Sequence, residues 1–140
     1  MKFNINKYFR VLFIIFSFII FYPFIFSQTK EQDEFIKKIN LEIEKIKSNI
    51  NIKSPVNDYL KIAHLYAQID EFDNSINYIY RALAIEPQNS RAYYILAMVY
   101  EKKKDYKNAI DSWQKCFQYS NNKEIKEIAQ KHIDYLSQMK

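Results

Sequence analysis

Residues 56–89 read VNDYLKIAHLYAQIDEFDNSINYIYRALAIEPQN, and residues 90–123 read SRAYYILAMVYEKKKDYKNAIDSWQKCFQYSNNK. Laid over one another at an offset of 34, the two stretches share five residues: Tyr59 with Tyr93, Ala63 with Ala97, Tyr66 with Tyr100, Asn74 with Asn108 and Ile76 with Ile110. The matches of size say more. Ile62 falls on Leu96, Phe72 on Tyr106, Ser75 on Ala109, Ile79 on Trp113 and Ala82 on Cys116. Large and small side chains recur in one order at one distance. Each stretch holds two segments of helical apolar periodicity. A polar turn divides them, Ile69-Asp70-Glu71 in the first stretch and Lys103-Lys104-Asp105 in the second. The pattern predicts helix–turn–helix, twice.

This order of residues resembles the tetratricopeptide repeat. That family sets an aromatic, Leu, a small residue and Tyr on the first helix, then small, aromatic and Ala on the second, with Pro at the end. Tyr59, Ile62, Ala63, Tyr66, Ser75, Ile79, Ala82 and Pro87 fill these sites in residues 56–89. Tyr93, Leu96, Ala97, Tyr100, Ala109, Trp113 and Cys116 fill them in residues 90–123, where Asn121 stands in place of the usual Pro. The small site of the first helix, often Gly in the family, is Ala both times. The resemblance implies an all-α fold, a short α-solenoid of antiparallel helix–turn–helix repeats. It assigns repeat packing to Tyr59, Ala63, Tyr66, Ala82, Pro87, Tyr93, Ala97, Tyr100, Ala109 and Trp113. Physically, Ala63 and Ala97 let the second helix of each pair come close, and Tyr66 and Tyr100 fill the space beyond.

Outward from the repeats, residues 28–54 carry Ile36, Ile39, Ile43, Ile46 and Ile50 at alternating spacings of three and four. These are a and d positions over about two heptads, short of the three or four that establish a coiled coil. The segment reads as an amphipathic helix packed on the next element, or as a short self-associating coil. Ser54-Pro55 then offers an N-cap and a first-turn proline. In residues 124–140, Ile125, Ile128, Ala129, His132, Ile133 and Leu136 stripe one face of a helix, the pattern of a terminal cap with a polar outer face. Two repeats are fewer than the three a solenoid usually needs. The flanking helices, or a second copy of the chain in a homo-oligomer, would supply the missing layers.

Composition narrows the function classes. The chain of 140 residues contains no glycine, where average usage would give roughly ten. Phosphate loops, dinucleotide turns, nucleophile elbows and calcium loops all depend on that residue. Cofactor binding of those kinds is therefore not expected. The net charge of +5 also divides unevenly: Lys2, Lys7 and Arg10 supply +3, with no acid before residue 28, leaving +2 for the rest. Such a balanced surface is not a nucleic-acid footprint. One cysteine, Cys116, excludes an internal disulfide and a cysteine-built zinc site.

The first 27 residues read differently from all that follows. After Lys2, Lys7 and Arg10 comes VLFIIFSFIIFYPFIF, residues 11–26, uncharged throughout. A positive n-region, an apolar core and a small residue, Ser27, form the layout of a secretory signal. An uncleaved hydrophobic helix holding the chain in the membrane through residues 11–26 is the alternative, with the repeats outside by the positive-inside rule. No cysteine follows the run, so a lipid anchor is not expected. Both readings place residues 28–140 outside the cytoplasm, as an exported or membrane-anchored protein.

No catalytic constellation emerges, and no enzyme activity is expected. His64 and His132 belong to separate helices and form no metal-spaced pair. Asp70, Glu71 and Asp73 read as turn and first-turn residues, and Cys116 as a buried small residue at a family Ala site. Lys102, Lys103 and Lys104 read as a solvated helix end. In proteins of this resemblance, the first helices of successive repeats line a concave groove for a peptide or helix. Helical spacing assigns Asn57, Leu60, His64 and Ala67 to one face of it, and Arg91, Tyr94, Met98 and Glu101 to its neighbour. Leu60, His64 and Ile95 stand where a carboxylate clamp would need polar groups, which predicts a more apolar ligand. The expected function is a scaffold or adaptor for a protein or peptide partner in the cell envelope. The alternative is a self-assembling structural subunit of a membrane-associated complex. The groove is open, or covered by the N-terminal helix or a second copy.

Overall fold

The computed structural model describes residues 29–139, and these are helical apart from short turns. The expectations for residues 1–27, the signal or anchor, lie outside the described residues. Among the described residues no helix is long and apolar enough to cross a membrane. The chain separates into two units, Met1–Lys38 and Ile39–Lys140. Of the first, residues 29–38 are described and helical. They belong to α1 (residues 29–48), which continues into the second unit. There follow α2 (Val56–Gln68), α3 (Phe72–Ile85), α4 (Ser90–Lys102), α5 (Tyr106–Tyr119) and α6 (Lys123–Ser137).

Consecutive helices pair, α2 with α3, α4 with α5, and α5 with α6, while α2 also meets α4. This is the expected repeat order, helix beside antiparallel helix. Small residues decide how closely each pair approaches. Ala63, Ala82, Ala97 and Ala109 are fully buried. At the closest approach in the first repeat, Ser75 Oγ on α3 donates to the Ala63 carbonyl of α2 at 2.8 Å.

Two cores share α4. One runs through α2, α3 and α4, from Leu60 and Ala63 to Ile79, Leu83, Ile95, Leu96 and Val99. The other runs through α4, α5 and α6 and is built on Ala97, Trp113, Cys116, Ala129 and Leu136. The α6 stripe read from the sequence thus faces inward. A third cluster joins Ile39 and Ile43 of α1 to Ile62 and Leu65 of α2, with Tyr66 and Tyr78 beside them. Burying each such side chain contributes roughly 1.5–3 kcal/mol. Of the isoleucines spaced by three and four, Ile39 and Ile43 are buried against α2, with Ile46 and Ile50 partly buried beside them.

The turns between paired helices work without glycine. Asp70 (φ 58°) and Lys104 (φ 60°) take the left-handed conformation at the ends of α2 and α4. Each completes the 6→1 bond of a Schellman turn: Glu71 N–H to Tyr66 C=O at 3.0 Å, and Asp105 N–H to Tyr100 C=O at 2.9 Å. Asp tolerates this region through its short polar side chain; a lysine there is uncommon.

Helix starts differ along the chain. Asn89, Asp105 and Asn122 cap α4, α5 and α6 with side-chain oxygens that accept backbone N–H groups. Neither α2 nor α3 has a side-chain cap. The expected cap at Ser54 is corrected here. Pro55 holds the N-cap position of α2 in a helical conformation (φ −81°, ψ −8°), and its carbonyl accepts the Tyr59 N–H at 2.9 Å. Instead of a Ser54 cap, the Asp58 carboxylate accepts the Asn51 N–H at 3.1 Å and ties the loop to the helix.

Candidate protein-interaction surface

The buried residues of α2 at Val56, Leu60, Ala63 and Ala67 form one stripe, spaced by three and four. The adjoining stripe, Asn57, Lys61, His64 and Gln68, is exposed. The sequence-based face straddled these two. Leu60 is a core residue of the first repeat rather than a groove residue. Asn57 and His64 do lie on the exposed side. His64 Nε2 pairs with the Gln68 side chain one turn on, at 3.0 Å.

On α4 the exposed residues are Arg91, Met98 and Lys102, with Tyr94 half-buried between them. Two clefts open along this helix. The first, about 330 Å3, lies between α2 and α4; His64, Ala67 and Gln68 form one side, and Tyr94, Ile95, Met98, Val99 and Lys102 the other. Its wall is mostly apolar carbon, and Met98 is 44% exposed within it. The second, about 540 Å3, lies between the start of α4 and the start of α6. It is lined by Ser90, Arg91, Tyr94, Tyr119, Ser120, Asn121, Asn122 and Ile125. Tyr94 is common to both. Within the second unit, no residue of 39–48 lines either cleft.

Tyr94 is held from behind. Its ring meets the Trp113 indole edge-on, with centroids 5.1 Å apart and planes at 89°. Trp113 is fully buried, and its indole N–H donates to the Glu101 carboxylate. His132 of α6 stacks on the same indole at 4.5 Å and bonds the same Glu101 oxygen through Nδ1 at 2.7 Å. Glu101, expected in the groove, is therefore turned away from it. A buried indole N–H without an acceptor costs roughly 1–3 kcal/mol, so the carboxylate goes where that donor is. Sequence periodicity misses this cluster because its three members sit on three different helices.

The remaining predicted residues can be placed plainly. Tyr59, Tyr66, Tyr93 and Tyr100 are half-buried; Tyr66 stacks on Tyr78 at 5.8 Å, and Tyr93 packs near Tyr119 at 5.6 Å. Pro87 is exposed rather than packed, and only its carbonyl contributes, accepting the Tyr93 hydroxyl at 3.1 Å. A residue that ends a helix at a surface turn has no core to enter. Cys116 is fully buried, and that burial pushes its thiol from 9.0 up to about 11. Burial and the Tyr80 hydroxyl, 3.5 Å away, raise the Tyr100 phenol. The Lys102 ammonium donates to the Ala67 carbonyl at 3.0 Å. It thereby satisfies a C-terminal carbonyl of α2 from the next repeat. Among the described residues no group of three or more His, Cys, Asp or Glu is placed to hold a metal ion.

Residues 59–89 and 90–123 match the family model of the tetratricopeptide repeat. The two matched stretches span α2 to α5, apart from the first turn of α2, and make up a little under half of the chain. No curated protein matches the chain. Two adjacent stretches of the chain are thus similar to the tetratricopeptide repeat, and repeats of this kind generally mediate protein–protein interaction.

Proposed function

We propose that this chain is a non-catalytic scaffold that docks another protein on its α2–α4 face, and that it does so at the cell envelope. The apolar cleft between the first helices of the two repeats carries the docking reading. Its exposed Met98 and its Tyr94 wall, fixed by Trp113, form a preorganised apolar site, and preorganisation lowers the ordering cost of binding. The envelope reading rests on the charged start and apolar run of residues 1–27.

Two experiments test these halves separately. A photo-reactive residue placed at position 98 of the full chain, in the native host, is expected to form a protein adduct. The same residue at position 80, on the outer side of α3 where Tyr80 is exposed, is expected to form none. Adducts at position 80 with none at 98 would overturn the docking reading. For the envelope, a mature chain beginning at Gln28 marks a cleaved signal, and an intact chain in the membrane fraction marks an anchor. An intact chain in the soluble fraction contradicts both.

A further inference from the structure

The charges around the two clefts are sorted. Arg91 lines the cleft between α4 and α6, Lys102 lines the one between α2 and α4 with His64 opposite, and no carboxylate lines either. This is not a shortage of acids, since the chain has 16. Each of the two helices that wall the apolar cleft carries one acid, and both are occupied elsewhere. Asp58 of α2 accepts the Asn51 N–H, and Glu101 of α4 is held by Trp113 and His132. Lys102 donates to the Ala67 carbonyl at 3.0 Å and pairs loosely with Asp70 at 3.5 Å. Arg91 is exposed and forms no ion pair among the described residues.

We propose that the two clefts together receive an acidic segment of another protein. A large apolar side chain of that segment enters the cleft beside Met98, and neighbouring Asp or Glu side chains lie over Arg91 and Lys102. The inference rests on the docking reading above and gives it a chemical identity. An apolar floor supplies affinity, while Arg91, which has no competing carboxylate, and Lys102 at the rim select the partner and speed its approach. A basic segment would meet Arg91 and Lys102 with like charge. An uncharged segment would leave Arg91 without a partner at the edge of the site.

The test reads the sequence of what binds. With the photo-reactive residue at position 98 of the full chain in its host, the adducted peptide is sequenced by mass spectrometry. A segment is expected that has Leu, Ile, Met or Phe within a few residues of two or more Asp or Glu. Arg91→Glu should lower adduct yield about fivefold, the scale of one exposed ion pair turned to repulsion, while Arg91→Lys preserves it. Because Arg91 is exposed and unpaired, the helical circular dichroism of both variants should match the parent. A basic or uncharged protein segment, a second copy of this chain, or a yield unmoved by Arg91→Glu would overturn the inference and leave protein docking standing. No adduct at position 98, or one with lipid or nucleic acid, would overturn docking itself and this inference with it.

Discussion

In the first repeat the second helix meets the first through a hydroxyl, Ser75 on the Ala63 carbonyl; at the matching place in the second repeat stands Ala109, fully buried and without a polar group. Thirty-four residues on from Ile79, a buried aliphatic, comes Trp113, a buried indole with a donor to satisfy. The first repeat closes its core with apolar side chains of α2, α3 and α4. The second recruits Glu101 and then His132, so the identity of one core side chain fastens α6 to the solenoid. The helix starts differ in the same sense: α2 and α3 lack side-chain caps, while α4 and α5 have them. One repeat pattern allows two solutions, and the second is tied to α6 through a buried indole that the first does not have.

Substitutions at paired positions can break or sharpen this contrast, with stability read from urea midpoints of the full chain. The largest effect is expected from Trp113→Ala, about 3–5 kcal/mol, with Ile79→Ala at about 2–5 kcal/mol. Only the former should also release α6, seen as faster amide exchange in residues 123–137. Faster exchange of α6 in Ile79→Ala as well would show that the two cores fail as one. Next is Glu101→Ala, which strands the indole donor and should cost about 1–3 kcal/mol. A loss below a few tenths would mean that water replaces the carboxylate at no cost.

Smaller effects test the helix ends. Asp105→Ala should cost roughly 1 kcal/mol by removing a cap. Glu71→Asp, which installs the shorter acid at the matching position of the first repeat, should gain a few tenths of that by the same rule. Equal responses at the two positions would erase the difference in capping. At the turns, Lys104→Gly is expected to stabilise by a few tenths of a kcal/mol, up to about 1 kcal/mol, because glycine carries no left-handed penalty. Asp70→Gly should gain less, since Asp is better tolerated there and its carboxylate lies near Lys102.

Most of the fold could be read from the sequence because helix packing writes itself as spacing. Ala63 and Ala97 mark the close approaches, and the periodicity of residues 125–136 marks the inward face of α6. Residues 28–54 left two readings open, and the burial of Ile39 and Ile43 against α2 is consistent with the packed helix. The candidate surface was only partly legible. Spacing by three and four does not fix which of two adjoining stripes is exposed, so Leu60 was set in the groove and proved to be core. Glu101 looked solvent-facing by the same spacing, and only the indole on another helix explains its inward turn. The cleft at the starts of α4 and α6 has no sequence signature, because Arg91, Tyr119 and Asn122 are joined by packing alone.

The missing glycine shows the limit from the other side. Composition excluded phosphate loops and pointed to helices, yet two turns still required positive φ. Asp70 and Lys104 meet that requirement. The feature was a preference that the chain satisfies at a local cost.

Whether the α2–α4 face is the working surface is tested most directly by the double substitution Tyr94→Ala with Met98→Glu in the full chain. The account predicts that proteins co-purifying with the parent are lost while helical circular dichroism is unchanged. An unaltered set of co-purifying proteins, with the fold intact, would contradict it.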